Sequence, residues 1–303
     1  MLMDMNHDED SKTDMAYQLL RREILAARLA PDTALRPTAL KDRYGLSWTP
    51  VREALARLEA ERLVVYRRNR GFAVAPVSSG ELDDLQRARQ AIELPLLKEA
   101  IEHGDSEWEA SLVAAHHRLI RCTLPVDDPS EETLTQWEQL HAAFHQTLLS
   151  AAVSKWLLRF QAQIHEQLQR HHRVLAILPV FKSREVDAQE AFDALRNAMS
   201  PLHHTELLNA ALDRDVDKAL LLMAEHAGTT MDVFERTSAV QEQLARRKAQ
   251  RLEAAAEKLK KAPKPVAEAK PAKVTKPTTA AKTTKATKAT QTTKALKPSK
   301  SAK

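Results

Sequence analysis

Four histidines hold the side-chain chemistry best suited to a metal ion in this chain. His141 and His145 stand four residues apart in HAAFH, so a helix would project both from one face toward a single ion. His204 and His226 lie on two later segments that a short turn around Arg214 would fold back against each other. A lone histidine on a helix is more often a surface or hydrogen-bonded core residue, so ligation rests on the set of four. Four imidazoles would favour zinc or nickel over magnesium or calcium. Ala142 occupies the place where a helical zinc protease carries its general-base glutamate, and no nucleophile motif is present. A metal-dependent hydrolase is therefore the weaker alternative to a binding role.

Arginines supply the other chemistry. Residues 38–62, TALKDRYGLSWTPVREALARLEAER, hold a helix, a glycine-marked turn and a second helix with a basic outer side. Gly45 is suited to the positive φ that closes the first helix. Ser47 or Thr49 can cap the second, Pro50 suits its first turn, and Glu53 lies near the positive end of its dipole. With Val51, Leu55 and Leu58 turned inward, Thr49, Arg52, Glu53 and Ala56 face outward, where a recognition helix meets base edges and phosphates. Residues 63–66 and 72–74 predict the two strands of a short hairpin. Its tip carries Arg67, Arg68 and Arg70 before Gly71, a charge suited to the phosphate backbone or minor groove of double-stranded DNA. An arginine-rich hairpin alone is usually a solvated surface, but the ordered set of helix, turn, capped helix and basic wing favours DNA.

After Pro76 the pattern changes to long segments of helical period. Leu82, Leu85, Ala88, Ile92, Leu96 and Ile101 recur at spacings of three and four. Helices are expected at about 79–103, 106–122, 130–152, 154–176, 184–213 with a break near Pro201, and 215–236. Six such helices form a bundle rather than an α/β sheet. The fold class is mainly α: an N-terminal winged helix-turn-helix with a small β-hairpin wing, an all-α effector bundle, and a disordered basic tail.

The 303 residues leave room for two domains and a tail, and the boundaries fall at 1–10, 11–78, 79–240, 241–262 and 263–303. The first stretch, MLMDMNHDED, reads as a disordered acidic N-terminus and not as a signal peptide. Residues 241–262 read as a charged helix. The tail is almost wholly Lys, Ala, Thr and Pro, a composition that cannot offset the entropy of ordering. The net charge of +5 is strongly divided: residues 258–303 carry +13, residues 11–78 carry +6 and residues 79–257 carry −10. Only the first two segments suit a polyanion. The tail is similar to the arms of linker-histone-like proteins, so it is either a second, sequence-blind DNA contact, as in an architectural DNA-binding protein, or a solubilising extension. The single cysteine, Cys122, fits a reducing cytosol, and no segment has the apolar length of a membrane span, so a cytoplasmic protein is expected.

LSWTPVREALARLEAERLV followed by RGFAV resembles the winged-helix signature of the GntR family of bacterial regulators, and MAYQLLRREILAARLAPDTALRPTAL resembles the helix and entry loop before it. Trp48 stands where the family usually carries Arg. WEQLHAAFHQTLLSA and HTELLNAALDRDVDKALLLMAEH resemble the central and last helices of the FCD-type effector domain of the FadR subgroup. That resemblance implies a metal held by His141, His145, His204 and His226, with His141 at the position of the family's aspartate. Arg89 and Glu93 match an arginine and glutamate of that domain's first helix, so Arg89 is an effector-binding candidate, against an internal i,i+4 pair with Glu93. Arg170, in the polar run QRHHR, is the other. WEQLHAAFH, SEWEASL and AERLV are similar to members that sense glutarate or hydroxyglutarate, which implies a small dicarboxylate or hydroxy acid as effector. The chain is thus expected to be a non-enzymatic repressor, a homodimer on an inverted-repeat operator, released by that acid.

Overall fold

The computed structural model describes residues 4–182 and 189–261. By its contacts the chain divides into Met1–Glu253 and Ala254–Lys303, and the described residues of the second unit, 254–261, are helical. No described helix is long and apolar enough to cross a membrane.

Within the first unit, α1 (Asp4–Leu25) begins inside the stretch read as disordered. Its buried Ala16, Tyr17, Leu20 and Ile24 recur at helical spacing and form one face of a core with α3. Helix α2 (Pro37–Tyr44) opens on a proline and closes at Gly45, where φ is 69° and the N–H bonds the Lys41 carbonyl. Helix α3 (Trp48–Ala60) buries Val51, Ala54, Leu55 and Leu58. Ser47 is its N-cap by position, but its side chain makes no cap hydrogen bond. Strands β1 (Val64–Arg67) and β2 (Gly71–Val74) pair antiparallel, Val64 opposite Val74 and Arg67 opposite Gly71. Asn69 and Gly71 take φ of 63° and 76°, the left-handed geometry this tight turn requires. Arg67, expected in the turn, is the last residue of β1.

The bundle follows as α4 (Ser79–His103), α5 (Ser106–Ile120), α6 (Glu131–Leu149), α7 (Lys155–His172), α8 (Leu178–Lys182), α9 (Gln189–Ala198), α10 (Pro201–Leu212) and α11 (Val216–Lys261). Side chains of Ser78, Asp105, Ser130, Ser154 and Ser200 accept hydrogen bonds from first-turn amides, so five of these starts are fixed by local chemistry. Eight described helices replace the six expected. The helix expected over 154–176 does not stop there but passes through a π turn, Arg173–Ile177, into α8. The break near Pro201 is present between α9 and α10, and residues 183–188 lie outside the described residues. The segments read as 215–236 and 241–262 are one continuous helix, and the tail, 263–303, lies outside the described residues. Arg214, at φ 59°, turns α10 into α11 and donates to the Gly104 carbonyl at 2.8 Å. Leu97, Leu112, Phe144 and Leu148 lie at the centre of a core separate from that of the winged helix.

Candidate functional site

Helix α6 presents His141 and His145 one turn apart, α10 brings His204, and α11 brings His226. One ring nitrogen from each lies within 4.8 Å of all the others. Ring centroids are 4.5 Å apart for His141 and His145 and 4.7 Å for His204 and His226. His145, His204 and His226 are buried and His141 is half-buried. A neutral imidazole holds one N–H and one lone pair, yet His145 has no partner at either nitrogen. His204 Nδ1 lies 3.3 Å from the Ser200 carbonyl, which fixes the proton there and leaves Nε2 free, and His226 Nδ1 is also unpartnered. Each orphan buried polar group costs about 1–3 kcal/mol. A cation would take one nitrogen from each ring at once. Burial pushes His141, His145 and His226 well below the usual imidazole range and His204 down to about 4, with the neighbouring imidazoles adding to the shift at His141, His145 and His226. All four rings are therefore neutral at pH 7, with lone pairs available to a metal. The donor set fits a borderline divalent ion; tetrahedral nitrogens stand about 3.4 Å apart at zinc bond lengths, a modest contraction of the cluster.

The cluster opens on a cavity of about 80 Å³. Trp137 stacks on His141 with centroids 4.7 Å apart. Arg89, His165, Gln169 and His172 supply polar groups to the wall, and Leu168, Ile177 and Met199 supply apolar ones. Arg89 makes the internal pair: its Nε donates to Glu93 Oε2 at 2.7 Å, and Gln161 donates to Glu93 Oε1 at 3.0 Å. It still lines the cavity, a charged group fixed beside a metal-competent cluster.

Arg170 requires a correction. It is buried, but it does not line the cavity; its Nη2 donates to the carbonyls of Ala75 and Pro76, the latter at 3.0 Å. Main-chain carbonyls of the linker, not an effector carboxylate, receive this guanidinium. Burial lowers its pKa to about 10, so it stays charged at neutral pH. The residues missed in the sequence are His165, Gln169 and His172. Their spacing of four and three on α7 marks one helical face, but polar side chains there resemble a solvated surface. Glu138 was missed as well. Buried against the cavity, it accepts from Arg173 at 2.7 Å, and desolvation raises it to about 7 against the pull of Arg173.

At the other end of the unit, Thr49, Arg52, Glu53 and Ala56 are exposed on α3, and Trp48 is 44% exposed. Arg52, Arg68 and Arg70 make no ion pair among the described residues. Arg67 is half-buried and pairs with Asp32, and Arg57 pairs with Asp14 while lying 4.0 Å from the Tyr17 ring. Arg52 on the outer side of α3 and Arg68 and Arg70 at the wing tip are thus among the exposed cations open to a phosphate.

A winged helix whose reading helix exposes Thr49 and Arg52, joined to a helical bundle whose histidine cluster opens on a cavity, defines a DNA-binding regulator with a sensory domain. Residues 12–74 match the gntR family of bacterial regulatory proteins, and residues 84–229 match the FCD domain. The chain is 33% identical over 223 residues to the uncharacterized HTH-type transcriptional regulator BphR of Paraburkholderia xenovorans (strain LB400), covering 74% of this chain and 85% of that one. It is 32% identical over 223 residues to the HTH-type transcriptional repressor GlaR of Escherichia coli (strain K12), covering 74% and 96%. The solved structure of E. coli McbR/YncC has the same fold, with a TM-score of 0.56 at 19% identity over 75% of this chain and 98% of that one. The chain belongs to the GntR family, in its FCD-containing branch, and is a transcription regulator rather than an enzyme.

Proposed function

We propose that this regulator is a repressor whose hold on double-stranded DNA is relaxed when a small carboxylate binds in the bundle beside a divalent metal. The observation that carries this reading is the buried four-histidine cluster, with its unpartnered ring nitrogens, opening on a cavity that also holds Arg89. His141, His145, His204 and His226 would hold the ion, zinc or nickel by donor type. When bound, the ion would supply a Lewis-acidic site for a carboxylate oxygen. Arg89 and the neutral donors His165 and His172 would receive the rest of the acid, which suits a dicarboxylate or hydroxy acid. GlaR, named a repressor, supports the direction of control.

On the DNA side, Thr49 and Arg52 would read base edges while Arg68, Arg70 and the wing around Gly71 meet the backbone. One winged helix covers a half-site, so a homodimer on an inverted repeat follows from two-fold symmetry. The test is a thermal-shift screen of small carboxylates with and without zinc or nickel, followed by operator binding. A true effector stabilises the fold by mass action only when metal is present, and it lowers operator affinity. Purified protein that takes up no metal, with acids that bind equally well after His204→Ala, would overturn the reading.

A further inference from the structure

Helix α7 has one face on the cavity and an adjoining face on the DNA-binding half. His165, Leu168, Gln169 and His172 line the cavity. Interleaved with them, Gln167 Nε2 donates at 2.8 Å to the carbonyl of Glu61, the residue that caps the end of α3. Arg170 binds the linker carbonyls of Ala75 and Pro76, and His171 Nε2 lies 3.2 Å from Glu81 in the first turn of α4. Glu166 pairs with Arg21 of α1, whose Nε also reaches Glu61 at 3.4 Å. The winged helix and the bundle have separate apolar cores, yet they cluster as one unit. Polar contacts from α7 bridge the two, and such contacts can exchange partners, whereas an interlocked apolar interface resists sliding.

We propose that Gln167 and Arg170 are positioning residues that carry occupancy of the cavity to the recognition helix. The proposal rests on the effector reading above and goes beyond it in naming the path. A ligand that draws in His165, Gln169 or His172 moves α7 as a rigid helix. Gln167 and Arg170 move with it and take the carbonyls of Glu61, Ala75 and Pro76 along, so the end of α3 and the base of the linker are displaced together. The π turn, Arg173–Ile177, directly after α7 gives the helix a place to shift: Ala176 and Ile177 line the same cavity, and a single π turn can tighten by one residue without breaking the helix. The arrangement supplies two distinct sites and one element that touches both, the physical connection that coupling between them needs.

The test uses the full chain with zinc alone and with zinc plus glutarate, 2-hydroxyglutarate or citrate, on an operator selected by the protein from random DNA. Arg170→Met keeps the side-chain length but leaves two carbonyls unpaired. Gln167→Leu, at a half-buried position, removes the bond to the Glu61 carbonyl and the 3.5 Å bond accepted from Arg170 Nη1, and guards against misfolding of the first variant. In the unmodified protein, the ligand that binds should lower operator affinity by about tenfold or more, within the usual range of coupling, and change hydrogen exchange across residues 75–78. In both variants ligand affinity should stay within about twofold while the effect on operator affinity falls below about threefold. Variants that release DNA as the unmodified protein does would overturn the relay and leave the effector reading standing. So would a ligand that binds without altering exchange at 75–78. If no probe binds at all, the effector reading fails and the relay fails with it.

Discussion

The winged helix and the helical bundle solve the same packing problem with opposite materials. Leu20, Ile24, Leu55, Leu58 and Leu63 form the centre of an apolar core in the winged helix, whose cations stay outside. The bundle buries Arg89, Glu93, Glu138, His145, Arg170, Arg173, His204 and His226 among its aliphatics. Buried polar groups cost stability unless each is partnered, and several here are not. A core built only for stability would not hold them. The contrast marks the bundle as the place where stability is given up for binding, and the winged helix as a rigid reader.

The largest expected effect that would sharpen this contrast is acid sensitivity confined to the bundle. Residues 11–78 contain no histidine. In the bundle, burial holds His204 at about 4 and His172 at about 3, and lowers His141, His145 and His226 well below the usual imidazole range. A folded pKa below the unfolded value of about 6.5 means the unfolded chain binds more protons, so stability is full above about pH 6.5 and falls as pH drops toward 4. Each such proton contributes a slope of up to about 1.4 kcal/mol per pH unit. Glu138, raised to about 7, acts with the opposite sign between its unfolded value and 7, but it is one group against five. Metal-free protein melted from pH 8 to 4 should therefore lose its bundle signal first, and bound zinc should delay the loss. Simultaneous loss of both regions would break the comparison.

Core substitutions should separate the two regions next. Leu55→Ala in the fully buried reading-helix core should cost about 2–5 kcal/mol and abolish operator binding while metal content is unchanged. His145→Leu removes two unpartnered nitrogens, so metal-free protein should be as stable or more stable, by up to about 1–3 kcal/mol, while metal content is lost. Calorimetry and metal analysis check both. A His145→Leu protein that is destabilised without metal would mean that the histidines are ordinary core residues.

How far each region was legible in the sequence follows from the range of its interactions. The Gly45 turn, the outward Thr49 and Arg52 and the wing hairpin are fixed by residues within about a dozen positions of one another, and they lie where local chemistry placed them, except that Arg67 and Gly71 belong to the strands rather than the turn. The histidine cluster was legible because His141 and His145 share a face, and family resemblance supplied the other two. Arg170 was misplaced because its partners, the carbonyls of Ala75 and Pro76, lie more than ninety residues away and have no side-chain signature. His165, Gln169 and His172 were missed for the mirror reason: a polar face looks solvated until the helices that cover it are known. The π turn left no mark, since RVLAI suits either helix.

Arg52→Ala is expected to weaken specific binding by about 1–3 kcal/mol if its free guanidinium meets a base edge, with little change on random DNA. Equal loss on both would assign it to phosphate. Either result leaves the bundle's metal and ligand affinities unchanged if the reader is a separate rigid piece.

The smallest effect discriminates among the wing arginines. Phosphate contacts add to the salt dependence of binding, and losing one lowers the slope of log affinity against log salt by about 1. Arg68 and Arg70 are exposed with no ion pair among the described residues, whereas Arg67 is already neutralised by Asp32. A guanidinium engaged by a carboxylate releases fewer counterions when DNA arrives, because the carboxylate must first give it up. Arg68→Ala and Arg70→Ala should each reduce the slope by about 1, and Arg67→Ala by clearly less. Asp32→Asn frees Arg67 and should steepen the slope, the reverse sign from the same small patch. If Arg67→Ala matches Arg68→Ala, the Asp32 pair opens on DNA and the wing is a less rigid reader than its apolar base suggests.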